Sequence, residues 1–444
     1  MGSSARLRLE PCLWSFSALI DVQGVQGPNS LGRALVTLPE VRVDDGMPIT
    51  LDASKTRRVT AATPKKSVTT YARVDFTCSL TGTDTTRVSF NLLPVYDSFF
   101  ATPTPRKVTK GTLDLRVRWR NEEPTLTLAT GRDTVETVLV RRGERALPEG
   151  TSRLDAVYAG KGAPDDYAGL RVRGKVALVQ RDPLVTLTEQ SAAAAAAGAK
   201  ALIVADPGPQ QLDPRTEATP PLTVVTVGHD EGLRLMRLAE RGPVPLKISY
   251  DAETDYLYDL VGSWEKALPD NPTYQPRSQD LATVDVSFEH YRDADATEFR
   301  YDARPGEYGI TAGYHLPRPA RGTRTDWVTA DPGVVWRQSA VVVGELRSIG
   351  APEALRPGSE TRERWSSGPG AELPPTSAIR TVGMEVSYDD GATWRKAALS
   401  RTSDRWRTTL DAPHRAEYAT VRATARDDRG NAVQQTVVRA FGLK

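Results

Sequence analysis

From the first residue to about residue 145 the chain alternates apolar and polar positions in short runs bounded by turn residues, the pattern of half-buried antiparallel strands. Four runs carry it: 33–38, 70–76, 86–90 and 113–119. In the last, Leu113, Leu115, Val117 and Trp119 fall on one face and charged residues on the other. Pro64-Lys65-Lys66 and Thr102-Pro103-Thr104-Pro105 supply breaks that no helix tolerates. Residues 1–145 therefore predict a β-sandwich-like domain.

Between about 146 and 250 the period changes. A short apolar strand, 174–181, is followed by Glu189-Gln190-Ser191 and the alanines 192–197, a helix on propensity alone, closed by Gly198. An apolar strand at 201–206 completes a strand–helix–strand unit. A further strand, 220–227, leads to a second helix over 231–241, with Asp230 placed to cap it and Gly242 to end it. Residues 146–250 are thus an α+β block between β flanks. Strands return over 251–345, where Val284, Val286 and Phe288 alternate with Asp285, Ser287 and Glu289. Residues 346–376, rich in Pro, Gly, Ser and charge, predict a linker. The last stretch, 377–444, reads as hairpins turning at Asp389-Asp390-Gly391 and at 428–431, a core too small to stand without a neighbour. The fold class is mainly β and multidomain.

The chain has 444 residues, enough for about three domains, and 39% hydrophobic content gives each a core. With Lys+Arg 58 against Asp+Glu 56 the formal net charge is +2, so no single-sign field exists to hold nucleic acid or an anionic membrane. No apolar run approaches the length of about 18 residues that a spanning helix needs. Two cysteines, Cys12 and Cys78, make neither a disulfide framework nor a four-thiolate metal site, though one bridge is open to them. The apolar stretch 12–20 follows Arg6 and Arg8 like a secretory signal, but Glu10 interrupts the approach and Asp21 stands where a small-residue cleavage site belongs. It predicts a first strand and no convincing signal peptide.

Residues 174–181, 197–205 and 221–238 resemble the protease-associated domain: a Gly-Lys-Val-Ala-Leu-Val-x-Arg strand, an Ala-rich helix closing in Ala-Gly-Ala-Lys, an apolar strand, then a Pro-led strand and a short helix. Asp182 departs from the family's glycine after the arginine. The segments 50–59, 386–394, 423–433 and 439–442 resemble the carboxy-terminal end of large secreted bacterial subtilisin-like serine peptidases, in which such domains accompany the catalytic one. The resemblance implies an extracellular chain that contacts a polypeptide substrate or a subtilisin-like catalytic domain.

The catalytic motifs of that family are not in the sequence. Its base requires glycine after histidine, yet Asp230, Tyr291, Leu316 and Arg415 follow His229, His290, His315 and His414. Gly150-Thr151-Ser152 imitates the start of the nucleophile motif, but Arg153 and Leu154 follow and a loop is expected there. The expectation is a non-catalytic accessory region with no cofactor and no metal. The alternatives are a serine peptidase completed by a separately encoded catalytic chain, or a glycan hydrolase. The latter rests on Ser387-x-Asp389-x-Gly391-x-Thr393-Trp394, an Asp-box spacing whose single copy reads as a structural hairpin. Asp293, Asp295 and Glu298 are too loosely spaced for a calcium loop. Gly160-Lys161-Gly162 lacks the third glycine of a dinucleotide loop. Two residues remain as candidate contacts for protein or peptide: Arg181, which closes the first strand of the block, and His229, where a strand passes into a helix and a side chain titrating near neutrality is well placed to meet a carboxylate.

Overall fold

A computed structural model describes residues 7–443 except 45, 81–84, 105, 142, 146, 207–219, 252–253, 278, 280, 290–295, 304–309, 316–320, 330–334, 343–344, 350–359, 367–378, 403–404, 429 and 431. At 139, 286–289, 296–303, 310–315, 321–323, 335–342, 345–349, 360–366, 402 and 405 the description is of the backbone alone. The described chain is mostly strand in several sheets, with two α-helices, as the mainly β, multidomain reading expects. No helix among the described residues is long and apolar enough to cross a membrane.

The stretch around Cys12–Ile20 is a strand, Leu13–Gln23, at the edge of a four-stranded sheet that continues through Leu31–Arg42, Tyr96–Ala101 and Arg57–Arg58. This sheet packs on part of an eleven-stranded one. Their shared core takes alternate residues from each strand: Leu35 and Phe99 from the first, Val74 and Phe76, Leu115 and Val117, Tyr258 and Leu260 from the second. Each large side chain buried this way contributes about 1.5–3 kcal/mol. The face carrying Leu113, Leu115, Val117 and Trp119 is the one the alternation predicts. Its opposite, charged face is not open to solvent, because Arg116, Arg118 and Arg120 are all buried.

Strand Thr112–Glu122 lies antiparallel beside strand Tyr256–Glu265, with Glu122 opposite Leu257. The segments 1–145 and 251–345 thus contribute neighbouring strands to one sheet. Between those two strands the chain leaves to build a separate eight-stranded sheet, all of it from residues 126–250. At its centre four strands run parallel in sequence order: Gly150–Tyr158, Val176–Gln180, Ala201–Ala205 and Thr223–Val227. Helix α1 (Leu187–Ala196) covers one face, over Ala177, Val179, Leu202 and Val204. Helix α2 (His229–Ala239) covers the other, over Val176, Leu178, Ile203 and Val225.

Helix α1 begins two residues before the expected Glu189, because Thr186 and Glu189 form a reciprocal capping box: Glu189 N donates to Thr186 Oγ1 and Thr186 N to the Glu189 carboxylate. Gly198 at φ +85° ends the helical segment. Helix α2 corrects an expectation. Its cap is Gly228, and Asp230, placed in the sequence reading as the cap, sits in the first turn with its carboxylate turned outward.

Of the described strands at the end of the chain, only Ser400–Thr402 and Arg405–Arg407 form a separate two-stranded sheet. Strands Ile379–Ser387, Tyr418–Asp427 and Ala432–Gly442 join the eleven-stranded sheet through Glu360–Ser366, which runs parallel to Leu281–Glu289. Glu360–Ser366 falls inside the expected linker 346–376, most of whose remainder lies outside the described residues.

Candidate functional site

Three adjacent parallel strands of the eight-stranded sheet end side by side, and the residue or residues after each are Arg181, Asp206 and the pair Gly228-His229. The carboxyl ends of parallel strands are where open α/β sheets place ligands, since the loops there leave the pleated layer and diverge. The two residues singled out in the sequence therefore meet, and they meet on Asp206. Arg181 Nη1 lies 3.7 Å from the Asp206 carboxylate, and its backbone N–H donates to Ala205 O at 2.9 Å. His229 Nδ1 lies 3.2 Å from the backbone carbonyl of Asp206. A carbonyl accepts only, so Nδ1 carries the proton and Nε2 is left as the acceptor in the neutral ring.

His229, Asp206, Thr226 and Gly228 line one wall of a cleft of about 630 Å³ between the α/β layer and the sandwich. The other wall brings Asn29, Thr69, Tyr71, Asn91 and Ser98. Hydroxyl and amide side chains share the lining about equally with apolar ones such as Leu31, Val95 and Trp119, and Arg58, Asp97, Glu136 and Asp206 add charge. Such a mixed lining suits a ligand that carries both apolar groups and neutral donors and acceptors.

Asp206, Asn29 and Asp230 were not foreseen as site residues. Asp206 had a signal, since it follows Ala201–Ala205 just as Arg181 follows Val176–Gln180. Asn29 had none, because its place depends on a contact between residues 201 positions apart: Asp230 accepts from Asn29 N at 2.8 Å and from Asn29 Nδ2 at 2.6 Å. Burial raises the Asp230 pKa, but the two Asn29 hydrogen bonds, with His229 and Arg237 nearby, outweigh it and leave the carboxyl below its ordinary value.

The remaining sequence candidates separate cleanly. Gly150-Thr151-Ser152 opens a strand rather than a loop, with Ser152 opposite Ile248 in an antiparallel ladder. In Gly160-Lys161-Gly162 the backbone N–H groups of Lys161 and Ala163 donate to Asp166 at 3.1 and 3.0 Å, so a carboxylate of the protein holds the donors a phosphate would need. After Arg181, the departure Asp182 makes its own turn: it accepts from Leu184 N at 2.8 Å and from Lys161 Nζ at 2.6 Å, which lowers its pKa. Asp389 accepts from Ser387 Oγ, Thr393 N and Thr393 Oγ1 at 2.6, 2.8 and 2.5 Å, and its pKa falls to about 2. The lone Asp box is thus a hairpin turn whose carboxylate is committed to the hydroxyls and backbone of its own turn, with Trp394 stacked 3.8 Å from the Arg422 guanidinium. Asp293, Asp295 and His290 lie outside the described residues, as does the Glu298 side chain. Among the described residues no group of three or more His, Cys, Asp or Glu side chains is arranged to hold a metal. Cys12 is exposed and Cys78 buried, and both are free thiols.

A family model for the PA domain matches residues 137–235. The chain is also similar to an aminopeptidase from Aneurinibacillus sp. strain AM-1, at 20% identity over 35% of this chain and 36% of that one, with a TM-score of 0.23. It is similar to BSAP, a zinc aminopeptidase from Bacillus subtilis, at 20% identity over 40% of this chain and 41% of that one, TM-score 0.23. A peptidase M28 precursor from Shewanella amazonensis SB2B matches at 9% identity over 40% of this chain and 44% of that one, TM-score 0.21. The chain spans less than half the length of these structures. No curated protein matches. A PA domain is present at 137–235; the likeness to subtilisin-like peptidases rests on the sequence patches alone.

Proposed function

We propose that this chain is a non-catalytic accessory region that contacts an extended polypeptide through its PA domain, alongside an exported subtilisin-like catalytic domain. The observation that carries the reading is the convergence of Arg181, Asp206 and His229, the last two lining a cleft that mixes hydroxyl, amide and apolar side chains. An extended main chain offers the matching alternation of amide donors and carbonyl acceptors. The His229 ring, held by the Asp206 carbonyl, presents Nε2 to such a ligand. No turnover is involved, since the sequence supplies neither the base motif nor the nucleophile motif of the family it resembles.

Fluorescence anisotropy with a labelled, reduced and carboxymethylated casein fragment tests the contact. Saturable binding is expected, weakened about tenfold, near 1.4 kcal/mol, by Thr69→Arg, which fills the cleft from its exposed wall, and by His229→Ala. Equal affinity in all three proteins would remove the cleft from the contact. A fluorophosphonate probe reports on inertness: stoichiometric labelling of the purified chain would show a reactive serine and overturn the non-catalytic reading.

A further inference from the structure

The α/β layer is joined to the sandwich by two chain crossings that lie side by side. Residues 123–125 lead out of strand Thr112–Glu122, and the return enters Tyr256–Glu265. Asp251 N donates to Thr125 O at 2.8 Å and Glu123 N to Tyr256 O at 3.2 Å, so the two crossings act as one narrow double connection. Among the described residues no helix or strand of one unit packs extensively on one of the other. A cleft stands between them instead. Units within a chain that share no large apolar interface move relative to one another by default.

A contact away from the crossings opposes that motion. The loop between Leu13–Gln23 and Leu31–Arg42 is braced by Asp97, which accepts from Val25 N at 3.0 Å and Gln26 N at 2.8 Å, and by Ser30 N donating to Gly27 O at 3.2 Å. So fixed, it presents Asn29 N and Nδ2 together to the Asp230 carboxylate on the first turn of α2. Gly27, at φ +149°, lies so near that a Cβ there would collide with the same carboxylate. Asn29, Gly228 and His229 all line the cleft, so the contact closes one end of it.

We infer that Asn29 and Asp230 form a latch that holds the hinged α/β layer against the sandwich and sets the width of the cleft. This goes beyond the proposed polypeptide contact and stands on the geometry alone. The ionic acceptor and its two donors make a charge-assisted, two-point contact. With one member removed, that two-point hold on the far end of the layer is lost, and the double crossing becomes a hinge.

The test is single-molecule energy transfer between dyes on Met47→Cys in the sandwich and Leu184→Cys in the α/β layer, both exposed positions, in full-length protein carrying Cys12→Ser. The otherwise unaltered protein is expected to give one narrow distribution. Asp230→Ala and Asn29→Ala should each broaden it and shift its mean. Gly27→Ala should do the same from the opposite wall, and it carries the test if Asp230→Ala fails to fold. Distributions unchanged in variants that melt like the parent would overturn the latch.

Discussion

Arg118 and Asp259 face each other across neighbouring strands with both side chains fully buried, paired through Nε at 2.8 Å and Nη2 at 2.7 Å. Removing one partner of such a pair leaves a charge with no water to solvate it, which costs about 3–5 kcal/mol. Asp259→Ala is therefore expected to lower the free energy of unfolding by that amount in urea denaturation; a loss under 1 kcal/mol would mean water reaches the site. Asp389 gives the pH-dependent counterpart. Its folded pKa of about 2 lies below its ordinary value of 3.8, so its stabilising contribution is complete above about pH 4 and disappears as pH falls through 2. Asp389→Asn should accordingly be less stable than the parent at pH 6, with the gap closing towards pH 2 in paired thermal melts. A gap independent of pH would assign the effect to turn geometry instead of charge. The thiols separate by burial: Cys12 should react with a disulfide reagent at once in native protein, whereas Cys78, buried with its pKa raised and 3.1 Å from Ser15 Oγ, should react only on unfolding. Two fast thiols in native protein would contradict that placement.

At the scale of elements, magnitudes decide the sign of a substitution in α2. Gly→Ala in a helix interior ordinarily gains about 1 kcal/mol of helix propensity. Gly232 faces strand Ala201–Ala205, and a Cβ there would stand 2.5 Å from Ala205 Cβ. That neighbour has no flexible end to move, and overpacking of a close-packed core costs about 1–3 kcal/mol, so Gly232→Ala should destabilise, as differential scanning calorimetry can show. Elements of this kind are legible in sequence where local chemistry fixes them: the Leu113–Trp119 alternation, the alanine helix and the strand order of the PA domain all follow from near neighbours. The helix start at Leu187 was less legible because a capping box, Thr186 with Glu189, extends it past the alanine run. The charged face of Thr112–Glu122 looks solvated because alternation reports two faces but not what covers each. The Asp206 junction and the Asn29–Asp230 contact lay beyond reach, since both arise from side-by-side placement of distant strand and helix ends.

For the whole molecule, the informative fact is that Glu122 and Leu257 are opposed in an antiparallel ladder although 134 residues lie between them in sequence. Glu123 N already donates to Tyr256 O, so the ladder continues to the point where the chain departs. A two-residue turn of the Asn-Gly type matches the twist of such a pair and closes it as an ordinary hairpin. Replacing residues 124–255 by Asn-Gly should thus leave a β-protein that keeps the core of Val74, Phe76, Leu115, Val117, Tyr258 and Leu260. Residues 124–255 made alone keep both core clusters of the α/β layer, one under each helix, and should fold as well. Circular dichroism of the two products is expected to sum to the spectrum of the full chain, and each should melt cooperatively. If the shortened β-protein instead lost its near-ultraviolet signal and bound a hydrophobic dye, the α/β layer would be part of the sandwich's own core, and hinge and latch would both fall with the independence they require.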